Sequence, residues 1–290
     1  MNSQRIAIIT DSGTDSDAAY CQEHDVRVMH LRVIYGDGRT FLSGVDISSA
    51  DLIKHFEEEV PTTSLPSPQE MLETLDQARR DGYERAVIVT IASALSATNH
   101  TARMISEQLD DFPVLVVDSR SIGMAAGMVV HRAVEYVEAG VPFDHLKRRL
   151  VEDAAATNVF FAVKDLDFLH KGGRINNTIY KVGSVLNIKP VLTCDESGSY
   201  VIAKKARGWN RSLDSMVKLL AQKANRFERV RVGICSTPLT DEYVEGLEKT
   251  LHDQVNAQIV SLTHHELKPD LLVHTGPDLM GMAVQRVRTE

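Results

Sequence analysis

The sequence predicts an α/β protein of two domains: a parallel-sheet N-terminal domain, residues 1–157, and an α+β C-terminal domain with a mixed sheet, residues 158–290. Three observations lead there. A chain of 290 residues is longer than a single core usually supports. Through the first half, short apolar runs alternate with amphipathic ones, the pattern of strands and helices that builds a parallel sheet covered on both faces. In the second half, Asp195-Glu196-Ser197-Gly198 separates two apolar runs as a hairpin turn, so antiparallel pairing enters the sheet. The change falls near Ala155–Asn158.

The elements follow in order. Ile6–Thr10 is a buried strand that ends in Asp11-Ser12, and Val26–Tyr35 is a second strand stopped by the turn Gly36-Asp37-Gly38. Ala50–Glu59 places Leu52, Ile53 and Phe56 on one helical face. Thr62–Pro66 is a loop leading into a helix over Met71–Asp81. Ser67 and Glu70 form a capping box there, and Pro68 takes the first helical position. Arg85–Ile91 and Val114–Val117 are strands, Ser93–Gln108 is loop into helix, and Ile122–Glu138 and Asp144–Ala156 are helices around Gly140. In the second half Val159–Val163, Ile188–Leu192, Tyr200–Lys204, Val230–Cys235 and Ala257–Leu262 read as strands. Leu166–Lys171, Thr178–Leu186, Ser212–Ala224 and Thr240–Leu251 read as helices.

Composition narrows the function. A net charge of −8 argues against nucleic acid as a partner, although Lys204, Lys205, Arg207 and Arg211 form a local basic patch. Three scattered cysteines, Cys21, Cys194 and Cys235, make no CxxC pair and fit a reducing cytosol. No signal peptide opens the sequence and no apolar run approaches the ~20 residues of a transmembrane segment, so a cytoplasmic protein is expected.

The strand ends carry the chemistry. In parallel sheets ligands bind at the carboxyl ends of strands, where Asp11-Ser12, the Ser93–Thr98 segment and Asp118-Ser119 sit. Ser96 and Thr98 lie at a helix start, where free N–H groups bind anions; plain N-capping by Ser93 or Ser96 is the competing reading. Thr62-Thr63-Ser64 adds hydroxyls, or is a solvated loop. Asp11-Ser12 and Asp118-Ser119 either orient a ligand or form Asx turns. In the run FLHKGGRINN, Phe168–Asn177, a helix ends at Gly172-Gly173, which lets the backbone turn and come close to a neighbour. Arg174 follows with a planar five-donor cation suited to carboxylate or phosphate. His274, before Gly276-Pro277, is held by a rigid turn and can donate to an oxyanion or move a proton, unless local backbone satisfies it. His264-His265-Glu266 has no metal spacing, so no metal site is expected. The sequence contains no GxxxxGK[ST], no GxGxxG after the first strand and no GxSxG. It offers anion-binding groups without a nucleotide site or nucleophile of its own.

Taken together the motifs resemble the DegV family: IAIITDS at Ile6–Ser12, TSLPSP at Thr63–Pro68, LSAT at Leu95–Thr98, VVDS at Val116–Ser119, LHKGGRI at Leu169–Ile175, LNIKPVL at Leu186–Leu192, KKARGW at Lys204–Trp209 and HTGP at His274–Pro277. They span nearly the whole chain in the family's order. The resemblance implies a two-domain DegV-like fold holding one long-chain fatty acid between its domains, with no cofactor. It implies that some members are the binding subunit of a bacterial fatty acid kinase and present the acyl carboxylate to a separate ATP-binding kinase subunit, which makes the acyl phosphate. It places Thr63, Ser96 and His274 at the carboxylate, and Arg174 and Arg207 at phosphate or partner. Two residues depart from the family pattern: Ala97 replaces the glycine of LSG and would be strained at positive φ, and Asp278 adds a negative charge near His274.

A fatty acid needs a polar cluster for its head and a dry tunnel for its tail. Met104, Met124, Met128, Phe161, Val163 and Met280 are candidates for the tunnel wall. Two other functions fit the same residues: a phosphocarrier or small-molecule phosphotransfer enzyme using His274, with Arg174, and a lipid-sensing regulator.

Overall fold

Two main sheets organise the computed structural model, which describes residues 2–183 and 187–288. In chain order the strands are β1 Ile6–Asp11, β2 Val26–Met29, β3 Arg32–Ile34, β4 Thr40–Leu42, β5 Thr62–Ser64, β6 Arg85–Thr90, β7 Val114–Asp118, β8 Thr157–Val163, β9 Val191–Cys194, β10 Tyr200–Lys204, β11 Arg229–Ser236, β12 Gln258–Glu266 and β13 Leu279–Arg286. The α-helices are α1 Ala18–Glu23, α2 Ser49–His55, α3 Pro68–Arg80, α4 Thr98–Ser106, α5 Gly123–Glu138, α6 Phe143–Ala155, α7 Asp167–Lys171, α8 Asn177–Gly183, α9 Trp209–Ala224, α10 Val244–Gln254 and α11 Pro269–Thr275.

The first sheet, β2-β1-β6-β7, is parallel throughout. Side chains alternate across a strand, and β1 shows the result. Ile6 and Ile8 pack with Val129, Val130 and Leu150 of α5 and α6, whereas Ala7 and Ile9 pack with Met71, Leu75 and Ala102 of α3 and α4. Burial on both faces explains the continuous apolar run. The second sheet, β10-β9-β8-β13-β11-β12, is antiparallel except for the β11–β12 pair. Val230, Val232, Ile234, Met280 and Met282 face α9 and α10. Phe161, Val163, Cys235 and Leu279 face Met124, Ala125 and Met128 of α5.

Several expectations are corrected. Val26–Tyr35 is not one strand: it leaves the parallel sheet after Met29 and re-forms as β3 in a separate three-stranded sheet, β4-β3-β5. Thr62–Ser64 is no loop but the edge strand β5, with Thr63 opposite Val33. The second helix stops at His55, short of Glu59, and Thr240–Tyr243 opens as a 3₁₀ turn before α10. Helices α1 and α11 and strands β4 and β13 were not expected, yet β13 lies between β8 and β11 inside the sheet. The end of the expected helix Thr178–Leu186, residues 184–186, lies outside the described residues. The capping box at Ser67 and Glu70 forms as read.

Among the described residues, no helix is long and apolar enough to cross a membrane. A buried polar network ties α5 and α6 to the second sheet. Asp153 on α6, fully buried, accepts from Arg132 Nε at 3.2 Å, Tyr136 Oη at 2.5 Å and Arg288 Nε at 3.1 Å. Glu135 bridges Arg132 and Arg231. Removing one member leaves buried charges without a counterion, which costs about 3–5 kcal/mol. Asp153→Ala should therefore destabilise the protein by about 3 kcal/mol, read as a lower urea midpoint. A change below about 0.5 kcal/mol would contradict this role.

Candidate functional site

The segments that follow β2 and β6, strand β5, the start of α5, helix α11 and the inner face of the second sheet line a cavity of ≈610 Å³. Its wall is mainly apolar, with Leu31, Ile91, Ile122, Met124, Phe161 and Leu279 among its members. Polar side chains also line it, Thr63, Ser96, His100, Arg174 and His274 among them. Four of the five residues singled out from sequence thus share one cavity. Arg207 is exposed and lies outside the lining, its backbone bridged to Ile188.

His274 occupies the last turn of α11 rather than a Gly-Pro turn. Its Nε2 lies 2.7 Å from Thr63 Oγ1, while its Nδ1 is buried without a hydrogen-bond partner. Gly172 explains that burial, because a Cβ there would collide with Nδ1. The close approach read into Gly172-Gly173 therefore belongs to Gly172; Gly173 has open space around it and serves the turn, with φ of +73°. Gly276 makes a second close approach, to the Phe168 ring, so α7 and α11 interlock through both glycines. Burial, helped by the nearby positive charge of Arg174, holds the His274 pKa down to about 3. The ring is neutral at physiological pH.

Arg174 Nη1 donates to the Gly172 carbonyl at 2.5 Å. Burial lowers its pKa, and no carboxylate pairs with it among the described residues. A buried guanidinium is costly without a counter-charge, and its fork matches the paired oxygens of a carboxylate or phosphate. Ser96 precedes α4, with its Oγ 2.9 Å from Thr98 Oγ1 and accepting from Thr98 N at 3.3 Å. The N-cap of α4 is Ala97 at φ −72°, so the alanine is unstrained. Asp278 pairs with Lys164 at 2.7 Å, which neutralises the charge expected beside His274.

The direction of the Thr63–His274 bond follows the tautomer: with its proton on Nε2, a neutral His274 would donate to Thr63 Oγ1. That would leave the threonine's own hydrogen free to donate into the cavity.

Of the six expected tunnel residues, Met124 and Phe161 line the cavity. Met104 is 51% exposed on α4, Met280 packs on the opposite face of its sheet, and Met128 and Val163 sit in the core behind the wall. Sequence reasoning missed Asp270 altogether. It lines the cavity one turn before His274 and accepts from Ser12 Oγ at 2.8 Å and Ser43 Oγ at 2.7 Å. It thereby fixes α11 to the end of β1 and to the segment after β4. The signal was present as Pro269 at a first helical position. Asp11 accepts from Ile91 N at 3.0 Å, and Asp118 from Arg120 N at 2.8 Å and Ser93 N at 3.3 Å. Both carboxylates shape the strand-end loops. Burial raises the pKa of Asp11 to about 7, and that of Asp15 likewise to about 7.

The chain matches known proteins along its length. The family model described as "Uncharacterised protein, DegV family" covers residues 5–287. A DegV domain-containing protein of Clostridium perfringens is 31% identical, covering 98% of this chain and 99% of that protein. One of Staphylococcus aureus is 30% identical over 96% and 97%. Among solved structures, a fatty-acid-binding DegV family protein from Thermus thermophilus aligns with a TM-score of 0.90 at 27% identity, over 99% of this chain and 100% of that one. The fold also matches DegV, a fatty acid binding protein from Bacillus subtilis, with a TM-score of 0.86 at 21% identity, over 98% and 100% of the two chains.

Two measurements test the electrostatics. The His274 ring resonances, assigned with His274→Gln, should not titrate between pH 8 and 5 by NMR, since the folded pKa is about 3; a midpoint near 6.5 would refute the buried neutral ring. Asp11 has a raised folded pKa, so its contribution is fully present below the unfolded value of 3.8 and is lost as pH rises through about 7. Urea unfolding of the protein and of Asp11→Asn should show the difference shifting in favour of the variant between pH 5 and 8. A constant difference would contradict the burial argument.

Proposed function

The chain belongs to the DegV family, and from that premise we propose that it binds a long-chain fatty acid and presents the carboxylate to a separate ATP-dependent kinase for acyl-phosphate formation. Thr63, Ser96 and Arg174 hold the carboxylate; His274 acts by orienting Thr63. The single observation that carries the reading is Arg174, without a carboxylate partner among the described residues, in the lining of a cavity whose wall is mainly apolar. A single-headed amphiphile satisfies both parts, and each buried CH₂ adds about 0.8 kcal/mol. The fatty acid binding described for the Thermus thermophilus protein supports the ligand class. We place the division of the chain at residues 157/158, with the ligand between the two units; the cavity draws its lining from both.

Presentation to a kinase is supported by the position of Ser96. Ser93, Ala97 and His100 beside it are exposed, so a bound carboxylate would sit within reach of a partner. The carboxylate oxygen would attack the terminal phosphorus of ATP on that partner, with ADP leaving; this chain supplies an ionised, oriented nucleophile. A phosphocarrier role for His274 is disfavoured, because Nε2 is engaged by Thr63 and Nδ1 is buried against Gly172.

Protein purified from bacteria should release a long-chain fatty acid on delipidation, detected by mass spectrometry, and should rebind oleate or palmitate. Hydrogen bonds to a charged group contribute about 1.5–3 kcal/mol each, so Thr63→Ala with Ser96→Ala should weaken rebinding by well over tenfold, with folding unchanged. The absence of any acyl chain and of rebinding would sink the ligand assignment; undiminished affinity in the double variant would sink the head-group assignment. Acyl phosphate should form from the loaded protein only when an ATP-binding kinase partner is added.

A further inference from the structure

Four arginines converge on a recess remote from the acyl cavity, and from them we propose a second binding site, for a compact phosphate-type anion free in solution. The recess, of ≈480 Å³, is walled by Arg226 and Phe227 from the turn after α9, by Arg229 at the start of β11, by Arg286 at the end of β13 and Arg288 just beyond it, and by Glu152 of α6. Arg288 is committed, with Nη2 on Glu152 at 2.7 Å and Nε on Asp153 at 3.1 Å. Arg286 is not. Its Nη2 stands 3.9 Å from an Asp153 that already serves Arg132, Tyr136 and Arg288. Its Nε is buried without a hydrogen-bond partner, and its guanidinium lies 5.8 Å from the Phe227 ring centre. Arg226 and Arg229 have neither an ion pair nor a side-chain hydrogen bond among the described residues.

Charge accounting favours an anion. Four arginines face three carboxylates, Glu152, Glu228 and the Asp153 that Arg288 and Arg286 approach, which leaves the recess at +1 on a chain of −8. A long polyanion would meet the negative charge of the whole chain. A small one inside the recess feels chiefly what lies within about 8 Å, the screening length at physiological salt. The free forks of Arg226 and Arg229 match the paired oxygens of phosphate, a geometry a lysine could not supply.

The acyl carboxylate is not the occupant. Arg229 opens β11, whereas Cys235, six residues on, lines the acyl cavity. At about 3.3 Å per residue the two sites lie about 20 Å apart. The anion site therefore stands or falls independently of the acyl reading.

Isothermal titration of the full chain with pyrophosphate at physiological ionic strength tests it. We expect saturable one-to-one binding that Arg226→Gln with Arg229→Gln weakens about tenfold or more, with melting temperature and oleate affinity unchanged, since neither side chain has a structural partner. Thr63→Ala should leave pyrophosphate binding intact. Equal binding by the double variant, no saturable heat with the intact chain, or loss of binding in Thr63→Ala would each overturn the proposal. Association with phosphatidic-acid vesicles in the absence of pyrophosphate binding would assign the arginines to a lipid headgroup and overturn a free anion.

Discussion

Helix α5 carries apolar side chains round most of its circumference, and each main sheet claims one side of it. Val129, Val130, Ala133 and Val137 pack on the parallel sheet, while Met124, Ala125 and Met128 pack beneath the mixed sheet. A helix apolar all round is stable only when enclosed, so the two sheets close on a shared core. Gly127 permits this at the strand-end loop, where a Cβ would come within 2.7 Å of the Thr14 carbonyl. Toward its C-terminal end α5 turns ionic, and Arg132 and Glu135 link it to Asp153 and Arg231. The acyl cavity opens at its N-terminal end, where Gly123 and Met124 form part of the wall.

The site depends on a division of labour between charge and neutrality. Arg174 carries the positive charge and has no carboxylate partner among the described residues. His274, kept neutral by burial and by that same arginine, is hydrogen-bonded to Thr63, and in the proposed reading orients it. Asp270, through Ser12 and Ser43, holds α11 to the end of β1 and to the segment after β4, one turn before His274. A preorganised donor set of this kind avoids spending binding free energy on ordering side chains.

What the sequence disclosed follows from which interactions are local. Strands β1, β6 and β7 are legible because both faces are buried, and α3 because its cap is a local motif. Strand β13 was hidden: Gly276-Pro277 reads as a turn and no strand is expected after it, whereas Gly281 makes room for the Cys235 sulfur and Phe161 inside the sheet. Three-residue strands such as β5 have no periodicity to read; they exist because β3 offers an edge. The site residues were found through family motifs, since no local pattern predicts that Thr63 and His274, 211 positions apart, share a hydrogen bond. Asp270 escaped because its partners, Ser12 and Ser43, are equally distant in sequence.

The size of the acyl cavity carries a consequence for the life of the protein. Well-packed interiors tolerate few voids, and empty apolar space forfeits dispersion contacts on every lining atom. The wall of this ≈610 Å³ cavity is mainly apolar, and net folding stability is only about 5–15 kcal/mol. Its proposed occupant would then complete the core as well as ride in it. By mass action, whatever fills the space raises the folded population, so the steady-state abundance of this chain would follow the supply of its cargo, and unladen copies would be the ones that proteases remove first.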